Sequence, residues 1–188
     1  MVFAIVLGRT NGVKIVTITF NWRGILALAG YVLTIPGANL MLLHVGWASE
    51  EGPRLLPVGF GLMAPSGVFM VGASLYVRDV VQDYYGTRWA IGAIASGIIL
   101  TAFFAPPSLA VASACAFALS ELCDFAIYTP LRKRSAWLAT IASGLAGSIV
   151  DSVIFLVVAF GSLAFVEGQI LGKIAITIVF SFARWRFA

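Results

Sequence analysis

The chain has 188 residues, of which 61% are hydrophobic and only 11% are charged, and its mean hydropathy is +1.01. Soluble domains carry about a quarter charged residues, so a composition this apolar cannot cover a water-facing surface. The net charge of +4 does not indicate nucleic-acid binding, because the basic residues flank apolar runs instead of forming one basic surface. The sequence therefore predicts an integral membrane protein without a separate soluble domain.

Residues 1–23 are predicted to form a cytosolic or interfacial arm, and residues 24–188 a single transmembrane domain. The opening apolar run is short and is followed by Arg9 and Lys14, so a cleavable signal peptide is not expected. Residues 13–20 alternate in the manner of a strand. They are too few to cross a bilayer as a helix.

A transmembrane helix needs about 20 mostly apolar residues. Six runs of roughly this length predict an all-α membrane protein with six transmembrane helices, at 24–46, 57–77, 89–105, 108–128, 136–163 and 168–183. Pro-Gly breaks are predicted inside the first two spans, at Pro36-Gly37 and at Pro65-Ser66-Gly67, because an internal proline removes a backbone hydrogen bond. In carriers such breaks often mark the binding site. The alternative is a kink that only eases packing.

The basic residues predict the orientation of these spans. Ten of the twelve Lys and Arg residues fall on one side of a six-span topology: Arg9, Lys14, Arg23, Arg78, Arg88, Arg132, Lys133, Arg134, Arg184 and Arg186. The opposite loops carry only Arg54, and Lys173 lies inside the last span. Because basic loops remain cytoplasmic, both termini are expected to face the cytosol.

Small and polar residues recur at four-residue steps in the fifth span and polar residues in the sixth, and so each set lies on one helix face. The sets are Ala139, Ser143, Gly147 and Asp151 in the fifth span, and Gln169, Lys173, Thr177 and Ser181 in the sixth. A charge in the bilayer costs several kcal/mol unless it is paired or solvated. Both faces are therefore expected to point inward. Lys173 is a natural partner for Asp151 or for an acid of the fourth span, and a purely structural ion pair is the alternative.

The fourth span contributes Glu121 and Asp124 on adjoining faces. Asp124 alternatively pairs with the basic loop 132–134. Together with Asp151, the two acids outnumber Lys173, which leaves two negative charges uncompensated. Arg78 offsets one of them if it is near. Otherwise a carboxyl is protonated, or a solute with cationic or donor groups neutralises the site, which predicts a solute or proton pathway.

The sequence contains no recognisable set of catalytic residues. It has one histidine, His44, and no Ser-His-Asp set, HExxH motif, Walker lysine or paired cysteine motif. We therefore predict no catalytic residue, no metal site and no cofactor, and a protein that is not an enzyme.

Four segments resemble the vitamin uptake transporter family, which comprises queuosine-precursor transporters of bacteria and phages. They are 65–69 (PSGVF), 78–86 (RDVVQDYYG), 120–124 (SELCD) and 147–155 (GSIVDSVIF), within a resemblance that covers roughly residues 25–183. The resemblance implies a six-helix protein of the bacterial inner membrane. It also implies uptake of 7-deazapurines such as preQ0, preQ1 or queuine, the precursors of a tRNA modification.

A deazaguanine presents adjacent N–H donors, which a carboxylate accepts with charge assistance. Asn39 and Gln82 are candidates for its carbonyl side, and an aromatic ring for stacking, although most aromatics here are expected in the core or facing lipid. The predicted substrate-binding residues are thus Asn39, Gln82, Phe117, Glu121, Asp124, Asp151 and Lys173.

The predicted function is import of a queuosine precursor by alternating access through a chamber lined by spans one, two, four, five and six. Two alternatives stay open: a substrate-binding subunit that needs a separate ATP-driven module, and a membrane scaffold that transports nothing. The expected partners are the solute and the lipid bilayer, with no nucleic acid. The small-residue face of the fifth span leaves a homodimer open.

Overall fold

Six helices make up most of the part of the chain that the computed structural model describes, which is residues 3–5, 18–49 and 52–187. The helices are α1 Trp22–His44, α2 Val68–Tyr85, α3 Thr87–Phe104, α4 Ala110–Leu131, α5 Ala136–Phe160 and α6 Val166–Phe187. Four of them, α1, α3, α4 and α5, are long and apolar enough to cross a membrane. The predominantly helical, membrane-spanning class is thus confirmed, whereas the full count of six spans stays a prediction.

Two small antiparallel sheets accompany the helices. Strands β1 (Phe3–Ile5) and β2 (Ile18–Phe20) pair within the predicted arm, most of which lies outside the described residues. Strands β3 (Trp47–Ser49), β4 (Gly52–Gly59) and β5 (Leu62–Pro65) form a sheet in the order β3-β4-β5 between α1 and α2. The sheet packs against α1 and α6.

The second predicted span is wrong in its position. Residues 57–65 belong to β4 and β5, and α2 begins only at Val68, so the predicted Pro65-Gly67 break is the entry to a helix and not an interruption within one. Apolar content does not separate a strand from a helix. The turn at Phe60 and Gly61 does, since both have positive φ (51° and 77°), as a two-residue hairpin turn requires.

The first predicted break is not observed either. Helix α1 is continuous from Trp22 to His44 with Pro36 inside it. A proline removes one backbone donor, and the hydrogen bonds of the helix continue before and after Pro36. At the C-terminus of α1, Arg54 of β4 donates to the carbonyl oxygens of Leu43 and Gly46, each at 2.9 Å. The sheet therefore caps this helix end.

Because α2 extends to Tyr85, the predicted cytoplasmic loop between Arg78 and Arg88 shrinks to Gly86, whose φ of 84° ends one helix before the next begins. Arg78 consequently lies inside α2 and is fully buried, which corrects its assignment to a basic loop. The orientation prediction loses this one residue and stays a prediction.

Small residues let the helices approach closely. Gly72 of α2 faces the backbone of Lys173 in α6, and Gly147 of α5 faces Asp124 of α4. The faces predicted for the last two spans are confirmed as inward-facing, because all of their residues are buried: Ala139, Ser143, Gly147 and Asp151 on α5, and Gln169, Lys173, Thr177 and Ser181 on α6.

Candidate functional site

A cavity of about 90 Å³ lies between the helices. Residues of α1, α2, α4, α5 and α6 line it, as predicted, and so do Thr101 of α3 and Pro65 at the end of β5. The volume is room for several water molecules. A hollow therefore exists among the helices, and the structure shows which of the predicted side chains reach it.

Lys173 and Asp151 form an ion pair in the wall of this cavity. The Lys173 Nζ donates to Asp151 Oδ2 at 2.6 Å, to Ser152 Oγ at 2.7 Å and to Gln169 Oε1 at 2.8 Å. These three bonds use all the donors of an ammonium group. Of the two partners predicted for Lys173, Asp151 or an acid of the fourth span, the structure shows Asp151, and this pair joins α5 to α6 at the position of the cavity.

Gln169 lines the cavity, whereas its spacing in the sequence predicted only that it lies on the polar face of the sixth span. Its Oε1 faces Lys173, while its Nε2 is buried and makes no hydrogen bond within the described residues. An unsatisfied buried amide group costs about 1–3 kcal/mol. The Nε2 group is therefore a donor available to a solute or to water in the cavity. Its position four residues before Lys173 is the signal that identifies it.

Asn39 and Phe117 lie on other walls of the cavity. The Asn39 Nδ2 donates to the carbonyl oxygen of Ile35 at 3.0 Å, which leaves Oδ1 and the second N–H of this side chain to meet a solute. The Phe117 ring packs against Tyr31 with ring centroids 6.4 Å apart, and Phe155 provides a second aromatic surface. The cavity thus combines apolar walls with a few polar groups, as small-molecule sites do.

The other three predicted site residues, Gln82, Glu121 and Asp124, do not line the cavity. They converge on Arg78, and we call Arg78 with Asp79, Gln82, Glu121 and Asp124 the Arg78 cluster. The Arg78 Nε donates to Glu121 Oε2 at 3.1 Å, Nη1 donates to Gln82 Oε1 at 3.2 Å, and Nη2 contacts Asp124 Oδ2. Asp79 Oδ1 lies 3.0 Å from Nη1.

The physical reason for this division is the position of Arg78. In the predicted loop, Arg78 would lie away from these acids. In α2, where the structure has it, Arg78 is the cation that contacts them. Its guanidinium has five donors in one plane and so binds several acceptors at once. The rings of Phe125 and Tyr128 lie beside it, at 5.8 and 5.7 Å from the guanidinium carbon.

The alternative partner considered for Asp124, the basic loop 132–134, binds elsewhere. Arg132 Nη2 pairs with Asp83 Oδ1 at 3.1 Å, and its Nη1 donates to the carbonyl oxygen of Gln82 at 3.0 Å. The Tyr128 hydroxyl donates to the second oxygen of Asp83 at 2.8 Å. These contacts fasten α4 to the end of α2 beside the Arg78 cluster.

Comparison with known proteins gives one match. No curated protein and no solved structure matches the chain. The model of a family described as "putative vitamin uptake transporter" matches residues 102–185, from the end of α3 through most of α6. The match includes two of the four segments on which the resemblance was recognised, 120–124 and 147–155, and it includes both partners of the ion pair in the cavity wall.

The match and the apolar helices together support a multi-pass membrane transporter. The resemblance to the vitamin uptake transporter family is confirmed over residues 102–185, the part of the chain that holds Glu121, Asp124, Asp151 and Lys173.

Proposed function

We propose that this protein carries a small planar nitrogen heterocycle of the queuosine-precursor class, a 7-deazapurine, across the membrane. The observation that carries the proposal is the set of Asp151, Lys173 and Gln169 in the wall of an interior cavity, where the Gln169 Nε2 has no hydrogen-bond partner among the described residues. Of the seven predicted site residues, we assign solute contact to Asn39, Phe117 and Asp151. Lys173, whose three donors are already used, holds Asp151 in position.

The chemistry of the cavity suits such a solute. Asp151 can accept N–H donors of a guanine-like edge with charge assistance, and Gln169 Nε2 can donate to its carbonyl oxygen. Phe117 and Phe155 offer apolar surface to a flat ring. We assign Gln82, Glu121 and Asp124 a supporting position behind α4, because they bind Arg78 and not the cavity.

The volume of the cavity bears on the mechanism. Pockets that hold drug-sized ligands measure about 300–1,000 Å³, and this one measures about 90 Å³. A solute of purine size therefore requires the helices around the cavity to separate. We propose that they do so in an alternating-access cycle, in which the contacts of α6 with α2 and α5 rearrange around Lys173.

A ligand titration of the purified protein tests this proposal. Because a ligand that binds only the folded state stabilises it, preQ0, preQ1 or queuine at about 100 times its dissociation constant should add about 2.7 kcal/mol to the free energy of unfolding. Guanine serves as the comparison solute. The variant Lys173→Met should abolish the effect, whereas Glu167→Gln, at an exposed carboxylate of the same helix, should retain it. No stabilisation by any of the three deazapurines would contradict the proposal.

Uptake by the chain alone separates the carrier from the alternative of a substrate-binding subunit. Reconstituted into lipid vesicles without other proteins, a carrier equilibrates radiolabelled solute across the bilayer. A subunit that needs an ATP-driven module binds the solute but does not move it. A membrane scaffold would show neither binding nor uptake.

A further inference from the structure

A groove of about 490 Å³ lies between α1 and α3, apart from the interior cavity. Leu28 and Val32 of α1 form one wall, and Arg88, Gly92 and Ser96, which share one face of α3 through their four-residue spacing, form the other. Arg88 and Gly92 are exposed, so the groove opens on the outside of the bundle. A Cβ added to Gly92 would meet nothing within 4 Å, which shows that the middle of the groove is empty. From Arg88 to Ser96 the groove follows α3 for about 12 Å.

The surroundings of this groove are the lipid bilayer, since α1 and α3 are both long and apolar enough to cross a membrane. Its walls are apolar apart from Arg88, Trp89 and Ser96, and the Ser96 hydroxyl already donates to the carbonyl oxygen of Ala93 at 2.8 Å. Lipid tails are as apolar as leucine, so apolar walls hold an acyl chain without distinguishing one lipid from another. Selection of a lipid therefore depends on a polar group at the end of the groove.

Arg88 is that polar group. It lies in the first turn of α3 and makes no ion pair with any residue that the structure describes. The described lining of the groove includes no acidic side chain. A guanidinium presents donors in one plane that match a phosphate group through two parallel hydrogen bonds. The end of the groove is thus complementary in charge and geometry to a phosphate.

Aromatic residues place this end of the groove at the membrane surface. The Tyr85 hydroxyl donates to the carbonyl oxygen of Asn21 at 2.9 Å, and the Tyr85 ring lies 5.4 Å from the ring of Trp89, so the first turns of α1 and α3 are at one level. Trp22 and Trp89 both belong to these first turns, and tryptophan is enriched where helices meet the headgroup region. The Arg23 guanidinium lies 5.5 Å from the Trp22 ring, which puts a second arginine at the same level.

We propose that the groove between α1 and α3 binds an anionic phospholipid of the surrounding bilayer, with its phosphate on Arg88 and one acyl chain along Leu28, Val32 and Gly92. A zwitterionic phospholipid presents the same phosphate together with a cationic amine, which the arginines at this level repel, so the site selects the net charge of the headgroup. Free phosphate lacks the acyl chain that the groove holds. The site is separate from the interior cavity and does not depend on the solute that the cavity binds.

Native mass spectrometry of the purified protein tests the site. Offered phosphatidylglycerol and phosphatidylcholine with identical acyl chains in equal amounts, the wild type should retain phosphatidylglycerol in preference. Arg88→Gln should weaken this binding about fivefold, since one arginine near the membrane surface contributes about 1 kcal/mol. Arg134→Gln removes the same charge from an exposed position outside the groove, in the loop that the Arg132–Asp83 ion pair holds at this end of the bundle, and should keep the preference. Equal retention of both lipids by the wild type, or equal losses in the two variants, would overturn the proposal.

Gly92→Leu tests the groove without a change of charge. The leucine side chain fills the empty space at Gly92 and should displace the acyl chain, which abolishes the preference for phosphatidylglycerol. Ala95→Leu adds bulk at an exposed position of the same helix that does not line the groove, and should retain the preference. If Gly92→Leu folds and keeps the preference, the lipid does not lie in the groove and the proposal fails. If thermal unfolding shows that Gly92→Leu does not fold, the comparison of Arg88→Gln with Arg134→Gln decides.

Discussion

A close contact between α2 and α6 beside the cavity gives a quantitative prediction for Gly72→Ala. A Cβ at Gly72 would lie 2.8 Å from the carbonyl oxygen and 2.9 Å from the Cα of Lys173. These are backbone atoms, so no side-chain rotation relieves the overlap and α2 must move away from α6. Overpacking of this kind costs about 1–3 kcal/mol. Alanine is favoured over glycine within a helix by up to about 1 kcal/mol, so a net loss is expected.

Gly92→Ala is the matched control, because Gly92 also lies within a helix and nothing stands within 4 Å of its added Cβ. Gly92→Ala should therefore stabilise the protein only through the higher helix propensity of alanine, by up to about 1 kcal/mol. The difference between the two variants isolates the steric cost, about 1–3 kcal/mol. For a chain of this size that difference corresponds to about 2–4 °C in Tm per kcal/mol.

Thermal unfolding of both variants in the same detergent measures this difference. Because the displaced backbone belongs to Lys173, Gly72→Ala should also weaken binding of deazapurine, and Gly92→Ala should leave it unchanged. Equal Tm shifts for the two alanine variants would refute the argument that α2 and α6 are in direct backbone contact here.

Two further predictions concern pairs of charged and polar groups. Lys173→Met leaves the Asp151 carboxylate uncompensated and should lower the free energy of unfolding by about 3 kcal/mol, the lower end of the range for broken buried ion pairs, because Asp151 reaches the cavity. The double variant Lys173→Met with Asp151→Leu should recover most of this loss. A double-mutant cycle of unfolding free energies checks this, and additive losses would contradict it. Arg54→Ala removes the cap of α1 and should cost about 1–2 kcal/mol. Lys133→Ala, at an exposed position of a loop, should leave Tm unchanged. If Arg54→Ala and Lys133→Ala shifted Tm equally, Arg54 would not act as a cap of α1.

The polar faces of α5 and α6 could be predicted from the sequence because their four-residue spacing is a direct consequence of helix geometry. The cost of unpaired charges in an apolar interior likewise predicted that Lys173 pairs with Asp151 or with an acid of the fourth span, and Asp151 is the partner in the structure. Local rules were sufficient at both places, since each prediction needed only the period of one helix and the sign of one charge.

The position of Arg78 could not be predicted in the same way. The apolar run 57–65 satisfies the hydropathy of a span, and taking it as helix moved the second span by about half its length. Arg78 then fell into a loop, so it could be named only as a cation that offsets one acid if it is near, and Glu121 and Asp124 were assigned to the substrate. Whether a hairpin or a helix forms at 57–65 depends on its pairing with β3 and its packing against α1 and α6, which are tertiary contacts.

Gly86 has a mechanical consequence for any cycle of opening and closing. It is the single residue between α2 and α3, and its φ of 84° is a conformation that other residues adopt only with strain. A connection of one residue cannot lengthen, so α2 and α3 must move together. A tilt of α2 away from Lys173 would therefore move α3 as well. Independent motion of the helices depends on connections longer than one residue, such as those at 105–109 and 161–165.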